Sequence, residues 1–335
     1  MKNKILIVLL AIFLYAAPAL SQITGYVSSN FFKSEKDGEY FKGTFTNPLL
    51  GVIFSGDIST GFAYGAEFRI VDISHIEIEQ AWVGIIPSEA FRLQGGLYLV
   101  PFGIYNRMNR PHQTFLINPP LHVEYCYPDR WRDIGILVDG IIGGFVYQGY
   151  LGNGLREEES LRVGQQYEDN NKDKGKGGRI GWRFSQGFEL AYSINTGKYD
   201  DQNSRDLILH GVDVNWMTDD WQIIGEYTKA IIKNPEDYSD GEAEAYFIQV
   251  ALYMGAFQPF ASYQTLKYLD LYHGPGFSGE SGAGEGIAID RSRWALGVAY
   301  VPAPNFYISF EYDFNREKMF NIKNDMWAVR VAVSF

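Results

Sequence analysis

The chain has 335 residues, a formal net charge of −11, 46% hydrophobic residues and one cysteine, with 36 glycines beside 23 tyrosines, 23 phenylalanines and 7 tryptophans. The acidic balance excludes a basic surface for a nucleic-acid backbone. The lone Cys126 excludes a disulfide framework and any multi-cysteine metal site, and the hydrophobic content excludes a disordered chain.

Residues 1–21 read as a secretory signal peptide. Lys2 and Lys4 charge its start, Ile5 to Ala17 are apolar, and the small residues Ala19 and Ser21 precede a cut before Gln22. The apolar run is too short to span a bilayer comfortably, and Pro18 interrupts its end. The folded unit is then residues 22–335.

Beyond Gln22 the recurring signal is alternation with period two. Candidate strands, about sixteen of them, start near Gln22, Leu49, Gly61, His75, Phe91, Arg132, Gly143, Gly178, Phe188, Leu207, Trp221, Ala243, Phe257, Asp290, Asn305 and Asp325. Tight turns at 59–60, 142–143, 186–187 and 303–304 alternate with longer polar connections at 33–48, 101–131, 152–177 and 270–289; a short connection at 72–74 is the exception. Phe306, Ile308, Phe310, Tyr312 and Phe314 alternate with Tyr307, Ser309, Glu311 and Asp313. Trp327, Val329, Val331, Val333 and Phe335 alternate with Ala328, Arg330, Ala332 and Ser334. The strands are long, and Trp216, Trp221, Trp294 and Trp327 lie near their ends. Together these features predict an all-β transmembrane antiparallel barrel with its apolar face to lipid and aromatic girdles at both interfaces.

With the apolar positions outward, the lumen receives Glu67, Arg69, Arg92, Asp133, Asp139, Arg179, Arg183, Glu189, Asp213, Glu226, Glu311, Asp313 and Arg330. The connection from Pro101 to Trp131 is far longer than a hairpin needs. It carries Phe102, Tyr105, Phe115, Leu116, Ile117, Tyr125 and Tyr127, and is stiffened by Pro111, Pro119, Pro120 and Pro128. It is expected to fold into the lumen as a constriction. Arg107, Arg110, His112 and Arg130 on this loop, with Arg92, Arg183 and Arg330 on the wall, are the candidate constriction and solute-binding residues. Arg107 and Arg110 either face the channel together or pair with wall carboxylates to hold the loop. A confined excess of arginine would recruit anions.

The chain resembles Gram-negative outer-membrane porins, nearest the phosphate-selective porin O/P type. The resemblance rests on the terminal Phe335, on Pro101-Phe102-Gly103 opening the long third loop, and on Arg132-Asp133-Ile134-Gly135 followed by Asn153-Gly154. It implies a trimeric barrel in the outer membrane, in contact with lipid and lipopolysaccharide and inserted by the barrel-assembly machinery through Phe335.

The function expected is passive diffusion of small hydrophilic solutes, with anions favoured, without catalytic residues, cofactor or metal. A non-conducting structural or adhesive barrel is one alternative. A channel for hydrophobic or aromatic nutrients, suggested by Tyr98, Tyr150, Tyr253 and Tyr307, is another. His210 and Asp213 lack a recognisable serine motif to make a hydrolase. The glycines from Gly274 to Gly286 read as an outer loop, since a nucleotide loop needs a strand before it and a helix after it.

Overall fold

The computed structural model describes residues 21–71, 75–158, 161–184, 187–234, 240–268 and 289–335. Residues 1–20 of the expected signal peptide, the 72–74 connection and the glycine-rich 274–286 segment lie outside the described residues. The strands are β1 (Ser21–Ser34), β2 (Thr44–Ser59), β3 (Phe62–Ile70), β4 (Ile76–Ser88), β5 (Phe91–Leu99), β6 (Arg132–Ile142), β7 (Phe145–Gly152), β8 (Gly175–Arg183), β9 (Phe188–Lys198), β10 (Asp206–Met217), β11 (Trp221–Ile232), β12 (Gly241–Leu252), β13 (Phe257–Tyr268), β14 (Arg291–Ala303), β15 (Phe306–Glu317) and β16 (Met326–Ser334). Each pairs antiparallel with its neighbours in sequence, and β1 pairs with β16 to close the barrel.

Closure follows from the solvent. In hydrocarbon every backbone N–H and C=O needs a partner, so a sheet that crosses it can leave no edge. The seam runs from Tyr26 opposite Ser334 to Ser34 opposite Met326. Phe335 extends it: its N–H donates to the Gly25 carbonyl at 2.9 Å, and the Gly25 N–H donates back at 2.8 Å. The tight turns sit on the side of both described chain ends. Gly61, Gly143, Gly187 and Gly255 take left-handed φ values there, as does Asn305 at 67°.

The outward face is apolar. Val83 is 61% exposed, Ile136 54%, Ile248 47% and Phe310 45%, a solvent contact that only lipid makes favourable. Aromatic pairs mark both rims: Trp216 with Trp221 at 4.7 Å on the short-turn side, and Tyr263 with Trp294 at 4.6 Å and Phe31 with Trp327 at 5.1 Å toward the loops.

Away from the tight turns, β2 and β4 depart from plain alternation. β2 begins at Thr44 rather than near Leu49, because it continues through an irregularity where Leu49 faces Ser28 and Thr46 faces Asn30. Pro48 sits in that break, where its missing N–H costs no ladder bond. On β4 the register shifts between Ile78 and Gln80. The extra residue lets Glu79, which is fully buried, and Gln80 both serve the lumen.

Candidate functional site: the lumen and its third loop

The third loop, residues 100–131, lies inside the barrel. It contains two short helices, α1 (Tyr105–Met108) and α2 (Leu121–Tyr125). Asn106 clips its ends together: the side-chain amide donates to the Val100 and Trp131 carbonyls at 2.8 and 3.0 Å, and its oxygen accepts the Trp131 N–H at 2.7 Å. Phe102, Ile104, Tyr105, Leu121, Val123 and Tyr127 pack on Leu207, Leu209, Ile224, Ile232, Ala245 and Phe247. The inward face of β10 to β12 is therefore apolar over much of its length. Leu207-Ile208-Leu209 and Ala230-Ile231-Ile232, apolar on both faces, were the available signal for it.

A loop buried this way needs partners for its backbone, and the wall supplies them. The Glu226 carboxylate accepts the Ile104 and Tyr105 N–H groups at 2.8 and 3.0 Å and the Tyr127 hydroxyl at 2.8 Å; His122 Nε2 lies 3.3 Å away. Glu311 accepts the Ile117 and Asn118 N–H groups at 2.8 and 3.1 Å. Gln264 accepts that of Leu121 at 3.1 Å. Gly103, at φ 62°, approaches Glu226 so closely that a Cβ would lie 2.1 Å from its Oε1. In the Arg132-Asp133-Ile134-Gly135 segment, Asp133 accepts the N–H groups of Asn153 and Gly154, each at 2.9 Å. Both short motifs thus have structural roles in this chain.

The candidate arginines separate into distinct settings. Arg110 forks onto Glu67 of β3 at 3.1 and 2.6 Å. Arg130 donates to Glu79 at 2.7 Å, and lies 3.3 Å from the Tyr26 hydroxyl and 3.8 Å from Glu67. Arg330 donates to the loop carbonyls of Thr114, Phe115 and Leu116, the last at 3.1 Å. Arg92 Nε donates to both oxygens of Asp139 at 2.8 and 3.1 Å, and Arg183 donates from Nε and Nη2 to one oxygen of Glu189 at 3.0 and 2.9 Å, both near the short-turn mouth. Arg107 turns away from Arg110, toward β8 and β9, and its nearest ion-pair contact is Glu189 at 3.8 Å. Arg107 and Arg110 are thus not a pair. His112 packs against Tyr26 with ring centroids 5.4 Å apart. Burial first, and the Arg110 charge second, push its pKa down to about 4.

Three cavities follow the side of the loop facing β1 to β3 and β14 to β16. The outermost, about 630 Å³, is lined by Asp37, Tyr40, Tyr125, Arg162, Arg291 and Glu317 among others. It shares Ile117, Pro119 and Asp129 with a second of about 230 Å³, onto which Arg69, Arg130 and Arg330 also open. That one shares Pro111, Thr114 and Arg330 with a third of about 40 Å³ that reaches Tyr307 and Ser309. His112 lines the third; Arg92, Arg107, Arg110 and Arg183 line none of the three. Tyr98 and Tyr150 are buried against the loop. His210 points outward to Tyr192 at 2.7 Å while Asp213 points inward to Arg179, so they form no dyad.

A closed sixteen-stranded antiparallel sheet with an apolar outer band and an inward third loop defines an outer-membrane barrel of the porin fold. Solved structures of that fold superpose on almost the whole chain. The anion-selective porin from Comamonas acidovorans is 12% identical, with a TM-score of 0.66, over 94% of this chain and 99% of its own. OmpF of Salmonella typhi, in complex with daunomycin, is 13% identical with a TM-score of 0.66 over 94% and 97%. The trimer form of OmpT, an outer membrane protein of Vibrio cholerae, is 11% identical with a TM-score of 0.64 over 94% and 99%. At such identities the likeness is one of fold. An uncharacterized protein of Aquifex aeolicus is 29% identical over 122 residues, which are 36% of this chain and 26% of that protein's length. No description of a known protein family matches the chain.

Proposed function

We propose that this barrel is a passive diffusion channel for small hydrophilic solutes, with a modest preference for anions. The carrying observation is the string of three cavities beside a loop braced from several strands. Solutes enter at the loop side, pass between the third loop and β16, and leave at the short-turn mouth. The anion preference rests on the second cavity, where Arg69, Arg130 and Arg330 face it with Asp129 as the acid; low-dielectric walls focus such an excess. Phosphate selectivity has less support, since one motif serves the approach of the third loop to Glu226 and the other holds the chain after β7 through Asp133. We read the protein as a non-enzymatic homotrimer among outer-membrane lipid and lipopolysaccharide, with Phe335 as its assembly signal.

One feature favours the rival reading, a non-conducting structural barrel: the third cavity holds only about 40 Å³, room for a few water molecules. Purified protein in a planar bilayer decides. Stepwise conductance with a reversal potential on the anion side under a salt gradient is expected. Silent membranes containing folded barrel refute the channel.

A further inference from the structure

Below the third loop, α1 brings Arg107 to a group of wall charges that its folding role does not use. Arg179 of β8 is wholly buried; it donates from Nε to Asp213 at 2.9 Å and from Nη2 to Glu189 at 2.7 Å. Arg183 takes the other oxygen of Glu189. Each Glu189 oxygen is therefore already engaged by a guanidinium at hydrogen-bond distance, and Arg107 stands off at 3.8 Å. Among the described residues, Arg107 makes no side-chain hydrogen bond, and the Arg179 Nη1 has no partner either.

The balance is three guanidiniums against two carboxylates, and exposure makes it more one-sided. The Arg107 and Arg183 side chains are 31% and 50% exposed, while those of Glu189 and Asp213 are 11% and 0%. What lumen water meets here is arginine, with the acids behind it. A guanidinium presents planar N–H donors in a fork that matches two oxygens on one centre. Two-thirds buried beside another cation, Arg107 lacks such an acceptor.

We propose that Arg107, Arg179 and Arg183 form a binding site for a small oxyanion, the carboxylate or phosphoryl group of a passing solute, on the periplasmic side of the third loop. Arg107 and Arg183 contact the anion, and Arg179 supplies a fixed positive charge behind them. The site deepens the channel reading by giving its anion preference a place where solute stops. It is a saturable station, apart from the three cavities on the other side of the loop.

Calorimetry on the detergent-purified barrel in low-chloride buffer tests it, with inorganic phosphate and acetate as separate probes. Saturable binding of one or both is expected; which of them binds tells a phosphoryl from a carboxylate site. Arg107→Gln should weaken binding at least about tenfold, the equivalent of about 1.4 kcal/mol. Because the Arg107 side chain holds no hydrogen bond, this variant should fold, as heat-modifiable mobility on gels will show. Lys229→Gln, on the outward face, should bind as wild type does. Wild-type protein that binds neither probe overturns the site, as does binding that Arg107→Gln leaves intact. Bilayer recordings keep the two readings apart. A barrel that binds but never conducts sinks the channel and keeps the site; one that conducts without Arg107-dependent binding does the reverse.

Discussion

Glu226 is where the third loop can be released without touching the barrel. Glu226→Ala removes the acceptor of three donors, the Ile104 and Tyr105 N–H groups and the Tyr127 hydroxyl. A buried donor left without a partner costs about 1–3 kcal/mol, so the packed loop loses about 3–9 kcal/mol before it relaxes. The strand ladder does not pass through this carboxylate, and the barrel should still migrate as folded. The loop should then expose Arg107, Arg110 and Arg130 to trypsin, and single-channel records should become noisier with larger steps. Glu226→Gln keeps an amide oxygen for the two N–H groups, so its loss is about that of one bond, ~1–3 kcal/mol, with little added cleavage. A Glu226→Ala barrel that resists trypsin and conducts like wild type would falsify the claim that this residue holds the loop.

In a Cys126→Ser background, a cysteine at Val331 should resist water-soluble thiol reagents, while one at Tyr307, beside the lowest cavity, should react; reversed labelling means a register slip of one residue. Ala328 and Ala332, each 1% exposed, are packed too deeply to report on lumen water. His112 should stay neutral down to about pH 4. The unfolded chain takes up this proton near pH 6.5, so the packing around His112 loses stability as pH falls from about 6.5 to 4; an NMR titration midpoint near 6.5 contradicts this. Deleting Phe335 removes both bonds to Gly25 and should lower the yield of heat-modifiable barrel; an unchanged yield shows that the seam closes without it.

The wall was legible because lipid imposes a rule that acts residue by residue. On β15 and β16 every second side chain must be apolar, and the observed faces follow the alternation of Phe306 to Phe314 and Trp327 to Val333. Fifteen strand starts fall close to the expected residues for the same reason, β2 being the one that strays. The interior obeys no such local rule. Whether Arg110 faces the channel or Glu67 depends on a carboxylate 43 residues away in sequence. Glu79 reaches the lumen through a bulge that alternation does not encode. Leu209 and Ile232 face inward although apolar because the loop, like the lipid outside, offers them an apolar surface. The long loop, its apolar residues and its prolines were visible; the wall positions that receive each side chain were not.

Most lumen arginines are committed to bracing, and this separates charge from structure at the two residues the sequence picks out on the third loop. Arg110 combines both roles: its fork on Glu67 holds the loop and cancels a carboxylate. Arg107 makes no side-chain hydrogen bond and adds a cation whose nearest acid, 3.8 Å away, is already engaged. Replacing either by Ala moves the lumen by one negative unit, so both should shift the reversal potential toward cations. Lysine splits them, because it keeps the charge and loses the fork. Arg107→Lys should keep both the wild-type reversal potential and the trypsin resistance of the loop. Arg110→Lys should keep the reversal potential but loosen the loop, since one ammonium cannot occupy both oxygens of Glu67. Equal cleavage of the two lysine variants would mean that Arg107 braces the loop as well. Arg110→Lys as resistant as wild type would mean that the Glu67 fork is not what fixes it, and the carbonyl contacts of Arg330 would become the stronger clamp.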